Sequence, residues 1–108
     1  MTVNPDDYAV VLTACGVAAA GKIAETLVSE RLAACVQKLP VESTYRWKGE
    51  IETAQEVLLL IKIKHADYNT VEERILALHD YETPEIIALP VAAGFAGYLS
   101  WVDAAVRR

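Results

Sequence analysis

The chain has 108 residues, a formal net charge of -5 and a hydrophobic share of 54% before glycine is counted. That length predicts one compact domain over residues 1–108, and 15 carboxylates against 10 Lys and Arg exclude a basic surface for a nucleic-acid backbone. The hydrophobic share excludes a disordered chain and exceeds the roughly 45–50% of an ordinary soluble domain, so surplus apolar surface has to be hidden.

Apolar runs such as Val57 to Ile61 fall far short of the roughly 18 residues that a membrane-spanning helix needs, so no span is expected. The start, Met1 to Asp7, is polar and acidic, with neither the basic n-region nor the apolar h-region of a secretory signal. A cytosolic, cytoplasmic protein follows as the expectation, with Cys15 and Cys35 as thiols.

In chain order, Tyr8 to Thr13 is a short β-branched run that reads as a buried strand, ending in a turn at Ala14-Cys15-Gly16. From about Val17 to Ala34, Ile23, Leu27, Val28 and Leu32 recur at helical spacing and predict an amphipathic helix, weakened by Gly21. Cys35 to Leu39 reads as a strand interrupted by Pro40 and resumed over Val41 to Trp47, which predicts a bulge or an edge strand. Lys48-Gly49-Glu50 marks a hairpin tip, with an antiparallel return from Ile51 and the clearest strand at Glu56 to Lys64.

Asp67 is placed to cap a second helix whose stripe is Tyr68, Val71, Ile75 and Leu78 and which ends near His79. Pro84 restricts Thr83 to extended backbone, so Glu85 to Val91 is a fourth strand, and a short helix follows from Ala96 to about Val106. The order predicts an α+β fold, a ferredoxin-like βαββαβ sandwich with a four-stranded antiparallel sheet, a long hairpin between the second and third strands, and a short C-terminal helix.

Both faces of that sheet read as apolar. The third strand divides into Val57, Leu59, Ile61 and Ile63 against Glu56, Leu58, Leu60, Lys62 and Lys64. The fourth divides into Ile86 and Ala88 against Ile87, Leu89 and Val91. Two helices cover one face, so the other is expected to be buried by further copies of the chain.

Four blocks then stand out: Glu30-Arg31-Leu32-Ala33-Ala34-Cys35-Val36, Tyr45-Arg46-Trp47-Lys48-Gly49, Leu78 to Ile86 (LHDYETPEI), and Tyr98-Leu99-Ser100-Trp101. In this order they strongly resemble the CutA divalent-cation-tolerance family, over essentially the whole domain from Tyr8 to about Trp101. The resemblance implies a homotrimer similar to PII signal-transduction proteins, associated with heavy-metal tolerance, with copper and other divalent ions proposed as ligands. It carries over no catalytic reaction. The chain departs from the family at Cys15-Gly16-Val17, where Pro and an acidic residue often follow the Cys. It departs again at a single His79 followed by Asp80, where some members have paired histidines.

Cys and His suit copper or zinc, and this chain offers Cys15, Cys35, His65 and His79, with no CxxC and no close His pair. Cys15 reads as a metal ligand whose pKa is lowered by helix N–H groups, or as a turn thiol without a role. Cys35 reads as buried or as a ligand. His79 reads as a ligand or as a C-terminal His favoured by the helix dipole, and His65 as a solvated loop residue. The expected metal set is therefore Cys15, Cys35 and His79.

Tyr45 and Trp47 read as interface anchors, and Tyr81, Glu82 and Glu85 as the lining of a subunit-boundary cleft with Lys62 as counter-ion. The alternative is a PII-like sensor that binds a small anionic metabolite through Lys62, although no glycine-rich phosphate fingerprint is present. A Cys nucleophile activated by His79 lacks an evident third orienting residue, so no enzyme is expected.

Overall fold

The computed structural model describes Asn4 and residues 7–107, so most of the polar start behind the cytosolic expectation lies outside the described residues. The elements are β1 (Tyr8–Cys15), α1 (Val17–Ser29), β2 (Cys35–Trp47), β3 (Glu50–Lys64), α2 (Tyr68–Leu78), β4 (Ile87–Pro90) and α3 (Ala96–Ala105). A single 3-10 turn, His65–Asp67, leads into α2, and Asp67 occupies the N-cap position without a side-chain cap bond.

The sheet order is β2-β3-β1-β4 with antiparallel neighbours, the ferredoxin-like arrangement the sequence predicts. Directly paired residues share a face, so the register sorts every side chain. Val11, Leu59, Ile61 and Ile63 face α1 and α2 and close a core with Ile23, Leu27, Val71 and Ile75. Val10, Leu12, Leu58, Leu60, Lys62, Ile87 and Leu89 face the other way.

Three boundaries differ from expectation, each for a local reason, and one open alternative is decided. β1 runs on through Ala14 and Cys15, because both stay paired to β3, opposite Leu58 and Val57. α1 stops at Ser29 rather than Ala34: Arg31 adopts φ 60, and the Leu32 and Ala33 amides both donate to the Leu27 carbonyl, so Leu32 reaches the core through a turn. Of the bulge and the edge strand expected at Pro40, β2 is the edge strand, continuous through Pro40 in register with Val57. β4 is shorter than Glu85 to Val91, with only Ile87 to Pro90 in the ladder.

β2 and β3 continue past the rest of the sheet as a two-stranded arm, paired out to Trp47 and Glu50. Lys48 at φ 50 and Gly49 at φ 82 make its two-residue tip, the left-handed pair such hairpins need. α3 lies on the second sheet face. Leu99, Val102 and Val106 pack there with Tyr8 and Ala34, and Asp103 accepts from Tyr8 Oη at 2.9 Å and Lys64 Nζ at 2.7 Å. Arg31 fastens the far end of α3 by donating to the carbonyls of Ala104 and Ala105.

Candidate functional site

The three expected metal ligands do not converge within one chain. Cys15 pairs with Val57 and Cys35 with Lys62, so the two cysteines lie five residues apart along β3, about 17 Å, and project from opposite faces. One ion with bonds of about 2.3 Å to sulfur cannot touch both. Among the described residues no three His, Cys, Asp or Glu side chains are grouped to hold a metal.

Cys15 is fully buried at the end of β1, its thiol directed at the Val57 carbonyl 4.0 Å away. The helix terminus was expected to lower its pKa. Instead burial, and after it the charges of Asp80 and Glu56, push the thiol up to about 11. Cys35 is half-buried on the second face, close to Tyr98, whose phenol is pushed up by burial and more weakly by this thiol.

His79 has a buried ring with both nitrogens engaged. The Tyr81 amide donates to Nδ1 at 3.1 Å, which leaves the proton on Nε2, 3.0 Å from the Ala14 carbonyl. The ring thereby ties the segment after α2 to the end of β1. His65 is exposed in its 3-10 turn.

Beside this tie lies a cleft of about 880 Å³, between the arm and residues 80–85. Ser43 to Trp47 form one wall, Asp80 to Glu85 the other, and Ala14 and Glu56 also line it. Tyr81 Oη donates to Glu56 Oε2 at 2.6 Å, and burial together with that carboxylate pushes the phenol well up, so it remains a donor. A β-carbon on Gly16 would stand 2.8 Å from Asp80 Oδ2. Glycine there admits the carboxylate to the N-terminus of α1, where the helix dipole favours it.

The expected grouping of Tyr81, Glu82 and Glu85 at a cleft is present, and within one chain Lys62 is not its counter-ion. Lys62 lies six residues along β3 from Glu56, about 20 Å away, and donates to Gln37 at 2.7 Å. The lining offers one cation, Arg46, against Glu56, Asp80, Glu82 and Glu85. Glu56 and Asp80 were missed as site residues. Their neighbours are 25 and 64 positions away in sequence, and no local pattern announces them.

No helix among the described residues is long and apolar enough to cross a membrane. Comparison with known proteins gives a consistent result. Residues 8–105 match the family model described as CutA1 divalent ion tolerance protein. The "Divalent-cation tolerance protein CutA" of Thermus thermophilus is 51% identical over 81 residues, covering 74% of this chain and 79% of that protein. "Protein CutA 1, chloroplastic" of Oryza sativa is 42% identical over 90 residues, which span 82% of this chain but 51% of that protein. The crystal structure of CutA from Xylella fastidiosa superposes with a TM-score of 0.90 at 44% identity, covering 94% of this chain and 99% of that one.

Proposed function

Because this chain belongs to the CutA1 divalent ion tolerance family, we propose that it acts as a cytoplasmic homotrimer that takes up copper or another divalent ion such as zinc, and catalyses no reaction. One observation carries the reading. Cys35 lies on the sheet face that a single chain leaves open, where Leu39, Ile87 and Leu89 are 51%, 48% and 49% exposed. Association across that face brings a thiol from each copy to the seam, and a site that no chain completes alone is completed between chains.

Burying about four large side chains per copy, at about 1.5–3 kcal/mol each, rivals the whole stability of a small domain, so the assembly is obligate. Cys15 and His79 sit at and beside the end of β1, with no third donor grouped with them to hold a metal among the described residues. An ion there first displaces the Ala14 carbonyl or the Tyr81 amide from the imidazole, which makes Cys35 the leading ligand. The reading of a small-anion sensor gains nothing from a cleft whose charge is acidic.

A titration with Cu(I) or Zn(II) tests the reading. Stoichiometric binding is expected, lost in Cys35→Ser and weakened less in Cys15→Ser and His79→Ala. Unchanged affinity in all three variants rejects these ligands.

A further inference from the structure

The cleft between the arm and residues 80–85 takes no part in that metal reading. We propose that it is a binding site for a small organic cation, an ammonium or guanidinium group carried on a flat or apolar body. Its volume of about 880 Å³ lies within the roughly 300–1,000 Å³ of small-molecule sites.

The aromatic wall speaks first for a cation. Trp47 and Tyr45 are 38% and 43% exposed beside the cleft, and the Trp47 ring already carries an ammonium, Lys48 Nζ, 5.5 Å from its centroid. That distance is within the roughly 6 Å over which a ring quadrupole attracts a positive charge. The arm's own lysine thus displays the recognition that the wall offers to a ligand.

The opposite wall supplies the charge. Glu82 and Glu85 make no ion pair with any of the described residues, even with Arg46 in the same cleft. The negative field reaches neighbouring groups, since Glu56 and Asp80 both disfavour ionisation of Cys15 and Tyr81.

The same geometry argues against the other small occupants. A hard metal ion needs several oxygens converging within about 2.0–2.6 Å, and no such group forms among the described residues. An anion meets four carboxylates and one guanidinium. A diffuse charge on an extended body needs no convergence, can lie between the aromatic wall and the carboxylates, and buries its stem against Pro84 and Ala14.

Isothermal titration of the EDTA-treated, assembled protein with agmatine tests the proposal, with glutarate as the anionic control. Saturable binding of one agmatine per chain is expected, with no saturable signal from glutarate. The double variant Glu82→Gln, Glu85→Gln should weaken binding about tenfold, and Trp47→Leu about threefold to tenfold. Thermal melts report whether each variant remains folded. Absence of saturable agmatine binding, undiminished binding in the double variant, or glutarate binding of equal strength overturns the proposal. So does agmatine binding confined to dissociated chains, which assigns the cleft to a second copy. Cys35→Ser should leave agmatine binding intact while abolishing metal uptake, so the two readings fail separately.

Discussion

The two faces of the sheet are built from similar residues yet end in different states. On the helix side Val11, Leu59, Ile61 and Ile63 are at most 1% exposed, sealed by α1 and α2. On the other side α3 closes only the end near Tyr8 and Lys64, through Leu99, Val102, Val106 and the Asp103 bonds. Beyond it Leu39, Ile87 and Leu89 remain substantially exposed, as do the paired Tyr98 and Trp101 on α3 itself. The helix face is a core that one chain completes. The second face is left partly open by one chain, and it carries Cys35.

That contrast can be broken by substitution. Ile61→Ala on the sealed face should cost about 2–5 kcal/mol in denaturant unfolding, through lost burial and the cavity left behind. Ile87→Asp, almost half exposed in the single chain, should leave each chain folded but shift sedimentation towards single chains. An Ile87→Asp variant that sediments like the parent would place Ile87 outside the proposed seam.

The buried Cys15 gives the next largest effect. Its thiol is near pKa 9 when unfolded and about 11 when folded, so the folded state holds the proton more tightly. The stabilisation is therefore complete below pH 9 and is lost as pH rises through 11, an effect of about 2–3 kcal/mol. Stability of the parent should fall between pH 9 and 11 more steeply than that of Cys15→Ala, measured by urea unfolding at each pH.

Smaller effects sharpen the picture of α3. Arg31→Ala removes two bonds to the last α3 carbonyls while keeping a strained φ of 60, and should cost about 1–2 kcal/mol. Arg31→Gly should recover part of that cost by relieving the backbone. At the small end, Thr13 is fully buried on the helix face and its hydroxyl has no partner among the described residues. Thr13→Val should raise stability by about 1 kcal/mol in the same unfolding assay, because an unsatisfied hydroxyl is replaced by a methyl.

Much of the fold was legible in the sequence because it is periodic. Alternation separates Leu59 and Ile61 from Leu60 and Lys62, and helical spacing finds Ile23, Leu27, Val71 and Ile75. Where the reading slipped, a non-periodic device was at work. Leu32 keeps helical phase but reaches the core through the left-handed Arg31, whereas the edge strand that Pro40 signalled is present. The site was less legible, because its bonds join residues far apart in sequence. The Tyr81 to Glu56 bond spans 25 positions and the His79 to Ala14 bond 65. Lys62 was assigned to a subunit-boundary cleft by charge alone, and the register carries it, within one chain, to the other end of the strand.

Sedimentation velocity of the parent protein over a range of micromolar concentrations tests the central claim most directly. A single species of three chain masses that persists on dilution is the predicted result, and a well-behaved single chain at every concentration contradicts it.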